Sequence, residues 1–209
     1  RYQPYEEGIF SDGGYTIDKV SHPTLGAGEV DGILTGEEQD RGQSYSWAAI
    51  AHGDDVYVST CYNAMGNTLT LMDSALGQHF DPETMTAILN VLYNGSFYTG
   101  EEDGGSAGGI LVKVNAVTGD VTLMSKATTG ENCLFRNACE YQGKFYFCGS
   151  VNSLPCIYQV DPETDACKLV YQGMTRQDYI EGYIAGICTG IRGLCEFNGQ
   201  LIVSCVTKT

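Results

Sequence analysis

The sequence predicts an all-β protein assembled from repeated antiparallel hairpins. Three observations carry that expectation. Glycine supplies 27 of 209 residues and tyrosine 14, a composition suited to turns and pleated sheet surfaces. A unit of fourteen residues recurs along the chain. Each copy consists of two apolar runs around a two-residue turn, the mark of a β-hairpin. The hydrophobic fraction of 43% is enough for a core, and a charged fraction of 18% excludes a disordered chain.

Taken in order, residues 1–46 read as a loop-like N-terminal segment with strand candidates at Tyr15–Val20 and Ile33–Leu34. This segment is expected to supply closing strands, and residues 47–209 to form the repeated sheets. The first copy of the unit is Trp47–Thr60, WAAIAHGDDVYVST, turning at Gly53-Asp54. The stretch His79–Asn94, HFDPETMTAILNVLYN, is read as a D-P-E-T turn followed by strands, because Asn94-Gly95 fits the repeat. The alternative is a helix capped by Asp81, with Pro82 at its first position and Gly95 as its stop. On the strand reading, Asn90–Gly100 is a further copy. Arg136–Gly149, RNACEYQGKFYFCG, and Arg192–Cys205, RGLCEFNGQLIVSC, complete the set. Their turns, Gln142-Gly143 and Asn198-Gly199, suit the type I′ geometry in which both central residues take positive φ.

Second hairpins lie between these copies. Ile110–Met124 turns around Thr118-Gly119, and Ile157–Tyr171 turns around Asp161-Pro162-Glu163-Thr164-Asp165. Pro162 presets a type I turn, and Asp165 stands where Gly119 supplies the left-handed residue. One unit therefore reads as an antiparallel four-stranded sheet. The first turns recur at roughly 40–55 residues, the length of a propeller blade with its loops. The expected architecture is a β-propeller of about four four-stranded blades, or part of a larger propeller.

Copies such as NACEYQGKFYF followed by VDPETDACKLVY resemble blades of secreted β-propellers in the broad kelch-like and quinoprotein-like sense. The resemblance runs from about Ser46 to Cys205 and implies the fold alone. The WD dipeptide, the double-glycine kelch signature and the sialidase Asp-box do not occur, and no catalytic residue carries over.

Acidic residues number 26 against 11 basic ones, a net charge of −15. No basic cluster exists to displace counterions from phosphate, which excludes nucleic acid and disfavours anionic membrane surfaces. No apolar run reaches the length of a membrane-spanning helix. Nine cysteines, eight of them after residue 130, suggest disulfides and a secreted or extracytoplasmic protein. The other reading makes several of them small buried hydrophobes. No C-x-x-C occurs, so zinc ribbons and thioredoxin-like motifs are absent.

The candidate site residues come from the repeat. Arg136 and Arg192 share one repeat position, at the start of what would be the innermost strand of a blade. Arginines stacked there suit bidentate binding of a carboxylate, phosphate or sulfate. The structural reading, in which they pair with Glu140 and Glu196, takes precedence. Trp47 occupies the same position in the first copy and suits stacking on a sugar, or packing. Glu101, Glu102 and Asp103, on a glycine-rich loop, form a Ca²⁺ candidate set against the plainer reading of a solvated acidic loop. No cofactor is expected beyond that. Gly104–Gly108 matches G-x-S-x-G but lacks the strand–turn–helix setting of a nucleophile elbow.

The expected function is a non-catalytic extracytoplasmic binding or scaffolding module, with a protein or a small anionic or glycan ligand as partner. One alternative is a propeller enzyme acting on a glycan or other small anionic substrate at a central channel, with carboxylates drawn from Glu140, Glu196, Asp54 and Asp55. The other is one piece of a multi-chain assembly, with a further chain completing the ring.

Overall fold

A computed structural model describes residues 10–12, 15–17, 45–61, 80–92, 109–126, 135–151, 154–173 and 188–207. β-structure dominates them. A short hairpin joins β1 (Phe10–Asp12) to β2 (Tyr15–Ile17). Sheet 1 contains β3 (Tyr45–His52), β4 (Asp55–Cys61), β5 (Ile110–Asn115) and β6 (Val121–Lys126). Sheet 2 contains β7 (Phe135–Tyr141), β8 (Lys144–Val151), β9 (Leu154–Asp161) and β10 (Ala166–Gln172). Sheet 3 contains β11 (Cys188–Phe197) and β12 (Gln200–Thr207). In both four-stranded sheets the strands pair antiparallel in chain order.

Turn chemistry sets these registers. Gln142 and Gly143 take φ 52° and 70°, and Asn198 and Gly199 take 51° and 72°, as type I′ turns require. At the first copy only Gly53 is positive, at φ 58°, the pattern of a type II′ turn with glycine first. The second hairpins repeat each other closely. Asn115 Oδ1 accepts from the amides of Val117 and Thr118, at 3.0 and 2.9 Å. Asp161 Oδ1 accepts from the amide of Glu163 at 3.1 Å. Gly119 (φ 78°) and Asp165 (φ 57°) then supply the left-handed residue at matching positions.

The sheets stack in sequence. Ala48, Tyr57 and Leu111 of sheet 1 meet Phe145, Phe147 and Val160 of sheet 2 in one buried cluster. Cys148 and Ile157 of sheet 2 meet Ile191 and Leu194 of sheet 3 in another. The strand alternation explains this division. Phe145 and Phe147 point to one side of β8, Tyr146 and Cys148 to the other. The first strands β3, β7 and β11 lie side by side, with β7 in the middle. Among the described residues they form a row, not a closed ring.

One expectation is corrected here. Residues 82–92 form helix α1 (Pro82–Leu92), not strands. Asp81 decides this: its Oδ1 accepts from the Thr84 amide at 2.9 Å and its Oδ2 from the Thr84 hydroxyl at 2.7 Å. With Pro82 at the first helical position, the local start signal outweighs the repeat frame. The would-be first strand of the copy at Asn90–Gly100 thus begins in a helix, and its turn lies outside the described residues. The described residues give two four-stranded sheets and two two-stranded ones. The N-terminal strands β1 and β2 pair with each other and with no strand of sheet 3. Ile33–Leu34 lies outside the described residues.

The disulfide expectation also fails for the cysteines described. Among the described residues Cys61, Cys139, Cys148, Cys156, Cys167 and Cys195 form no disulfide. Cys61, Cys148 and Cys156 are buried at 0–2% exposure and serve as small apolar side chains on strands.

Candidate functional site

The three copies of the repeat share a feature that a gapless alignment conceals. Each first strand carries a β-bulge at the same position. The register shifts between Ser46 and Ala48, between Phe135 and Asn137, and between Ile191 and Gly193. The extra residues are Trp47, Arg136 and Arg192, the three proposed from sequence. A bulge leaves one residue without a cross-strand partner and re-aims it. The strands that carry these bulges are neighbours, so the structure brings the three positions into one row at the start of β3, β7 and β11.

A small residue faces each bulge: Ser59, Cys148 and Ser204, opposite Ala48, Asn137 and Gly193. In sheet 1 this residue repairs the ladder. Ser59 Oγ accepts from the Ala48 amide at 3.1 Å and donates to the Ala48 carbonyl at 3.4 Å. In sheet 2 the residue after the bulge links the stack instead. Asn137 Oδ1 accepts from the Leu194 amide of sheet 3 at 2.7 Å.

Arg192 is exposed and makes no ion pair with Glu196. That carboxylate is held by its own turn, where Glu196 Oε1 accepts from the Gly199 amide at 2.7 Å. The structural pairing expected for Arg192 therefore does not form. Glu140 is exposed on β7, and Trp47 is half-buried on β3. Arg136 is placed by the backbone of β7. Glu101, Glu102 and Asp103 lie outside the described residues, as does Gly104–Gly108. Among the described residues no group of three metal-ligating side chains converges.

Sequence reasoning missed a second cluster, at the seam between sheets 1 and 2. Asp165, held in its left-handed turn, reaches back to sheet 1. Its Oδ1 accepts from the Tyr57 hydroxyl at 3.1 Å, and its Oδ2 pairs with Lys113 Nζ. Lys113 lies 3.9 Å from Asp55, which accepts from Asn115 Nδ2 at 2.9 Å. At the repeat-equivalent place in sheet 2, Lys144 pairs with Asp161 at 2.5 Å. His52 Nε2 stands 3.5 Å from Glu163, and its ring meets Phe145 edge-on at 5.9 Å. The only signal in the sequence was Asp at a position where glycine also serves.

Burial and hydrogen bonding set the protonation states of the groups in and near this seam. Burial, reinforced by the hydrogen bond to Asp165, raises the Tyr57 phenol far above its ordinary value of 10.0, so it remains a donor. The hydrogen bond from Lys144 holds Asp161 below the usual carboxylate range. Burial pushes the Cys167 thiol up to about 11. Burial also raises Cys139, with Cys195 and Glu196 adding to the effect. Both thiols are therefore neutral near pH 7 and poor nucleophiles.

The chain matches no protein-family model and none of the curated proteins. Neither comparison ties the repeat to the kelch-like or quinoprotein-like families. The class of protein established is thus a mostly β chain of stacked antiparallel sheets built on an internal repeat. No described helix is long and apolar enough to cross a membrane.

Proposed function

We propose that this chain is a propeller-type binding module, non-catalytic and working outside the cytoplasm, that meets an anionic ligand along the row of bulged positions. The observation that carries this reading is Arg192, an exposed guanidinium at a bulge with no ion-pair partner among the described residues. It repeats Arg136 on the neighbouring strand and stands in the position of Trp47 two strands away. Paired guanidinium forks suit the oxygens of carboxylate, sulfate or phosphate, and an indole beside them suits the face of a sugar ring. An acidic or sulfated glycan combines both chemistries. In a protein of net charge −15, a local cationic row is also where such a ligand meets least repulsion.

The test is binding to arrayed carboxylated, sulfated and phosphorylated glycans. Arg192→Ala and Arg136→Ala are each expected to weaken binding at least about tenfold, the scale of one charge-assisted bidentate contact. Melting temperature is expected to stay unchanged. Unchanged binding, or loss of the fold in both variants, overturns the reading.

A further inference from the structure

The repeat copies in sheets 2 and 3 differ at their turns. Strands β7 and β8 join through Gln142-Gly143, and β11 and β12 through Asn198-Gly199. Both pairs take the positive φ of a type I′ turn. Glutamine and asparagine differ by one methylene, and that methylene decides their chemistry. The nitrogen of the next residue can attack the side-chain carbonyl of asparagine and close a five-membered imide. Glutamine has to close a six-membered one, which forms far more slowly. Glycine at the next position, with no Cβ, leaves the attacking nitrogen unscreened.

The surroundings of Asn198 favour that closure. Asn198 and Gly199 are both exposed. Among the described residues beyond its chain neighbours, a methyl group on Gly199 would meet nothing within 4 Å. The Gly199 amide donates to Glu196 Oε1 at 2.7 Å, a short bond to a carboxylate. A backbone nitrogen becomes a nucleophile only as its proton is drawn off, and a carboxylate at this distance is within reach to accept it. In sheet 1 the Gly119 amide donates instead to the Asn115 carbonyl at 2.9 Å, an oxygen too weakly basic to take the proton. On its other side Gly199 offers its carbonyl to the Tyr141 hydroxyl at 3.0 Å. The same turn residue thus links sheet 3 to sheet 2.

We propose that Asn198 is a self-modification site, an asparagine that converts to aspartate and isoaspartate with Glu196 as the general base. Glu196 takes the Gly199 amide proton while that nitrogen bonds to Asn198 Cγ. The Cγ–Nδ2 bond then breaks, and the side-chain nitrogen leaves as ammonia, carrying the proton that Glu196 took. Solvent water opens the cyclic imide at either carbonyl. Both openings place a new carboxylate at the tip of the hairpin. Opening at the backbone carbonyl also routes the chain through the side chain and lengthens it by one methylene. A two-residue turn does not accommodate that extra atom, so the Tyr141 contact to sheet 2 is released. The inference is independent of the ligand reading, because this turn and the bulge at Arg192 lie toward opposite ends of β11.

Peptide mapping of the full chain by mass spectrometry, after prolonged incubation near neutral pH, tests it. Conversion is scored by the mass change from amide to acid and by labelling with an isoaspartyl methyltransferase. The other Asn-Gly pair of the chain, Asn94-Gly95, serves as the internal reference. The expected result is conversion at Asn198 in the wild type. Glu196→Gln keeps an oxygen to hold the Gly199 amide but is no base. It is expected to slow conversion at Asn198 at least about tenfold, against the roughly 10²–10⁴ that a positioned base contributes in an enzyme, and to leave the rate at Asn94 unchanged. Asn198→Gln, which copies Gln142, is expected to abolish conversion at this turn. An Asn198 that stays intact in the wild type overturns the inference. So does a Glu196→Gln variant that converts Asn198 as fast as the wild type or faster, or one that slows both sites alike.

Discussion

Replacing Tyr57 by phenylalanine isolates the seam between sheets 1 and 2. The ring is fully buried and meets Phe145 edge-on at 5.3 Å, and phenylalanine keeps that packing. What is lost is the hydroxyl that donates to Asp165. A hydrogen bond to a charged acceptor contributes about 1.5–3 kcal/mol. The Asp165 side chain is 40% exposed and keeps Lys113, so water replaces part of the loss and the lower end applies, about 1.5 kcal/mol. In a chain of this size that lowers the melting temperature by about 3–6 °C. Urea unfolding and differential scanning calorimetry of both proteins measure it. The pH dependence supplies a second readout. A phenol whose folded-state value is raised contributes stability that is complete below pH 10.0 and is lost as pH rises above it. Between pH 9 and pH 11, the wild type should therefore lose more stability than Tyr57→Phe. If the variant is as stable as the wild type at pH 7 and both lose stability equally above pH 10, the seam does not hold the sheets as described.

Three further outcomes follow from single contacts. Gly173→Ala should destabilise the protein by about 1–3 kcal/mol, because the new methyl would lie 2.3 Å from Pro155 Cγ while the Gly173 amide is tied to the Pro155 carbonyl at 2.7 Å. Chemical unfolding reads this, and a neutral result removes the contact from the account. Ser59→Ala should cost about 1–3 kcal/mol by stranding the Ala48 amide at a buried bulge, whereas Ser59→Cys, copying Cys148 in the next sheet, should restore part of it. Asp81 is held below its ordinary 3.8, first by the Thr84 side chain and then by the Thr84 amide. Its capping of α1 is thus present above that pH and lost as acid protonates it. Helical ellipticity should fall more on acidification in the wild type than in Asp81→Ala.

Much of the architecture was legible because hairpin turns are local chemistry. Gln142-Gly143 and Asn198-Gly199 announce their turns through two adjacent residues, and Asp165 matches Gly119 because both tolerate positive φ. The helix was misread for a reason of the same kind. Asp81-Pro82 is a start signal of equal strength, and it competes with the repeat frame set by Asn94-Gly95. The bulge row was legible only as a repeated residue position. Since Trp47, Arg136 and Arg192 all bulge, the copies align without a gap and nothing marks the extra residue. The seam was not legible, because Asp165 meets Tyr57 across 108 residues and such pairings follow from how sheets stack.

The unequal spacing of the strands has a consequence for how the molecule assembles. Sheet 2 is drawn from one stretch, Phe135–Gln172, and each of its strands pairs with the next through a short connection. In sheet 1 the third strand returns after a long excursion. Thr60 catches Ile110 across 50 residues, its hydroxyl accepting from the Ile110 amide at 2.9 Å. Closing a long loop costs entropy before any contact repays it, and non-local pairing slows folding. Sheet 2 is therefore the natural nucleus. Phe145 and Phe147, buried in the finished protein, would be uncovered on sheet 2 alone and form the surface on which Tyr57 and Leu111 condense.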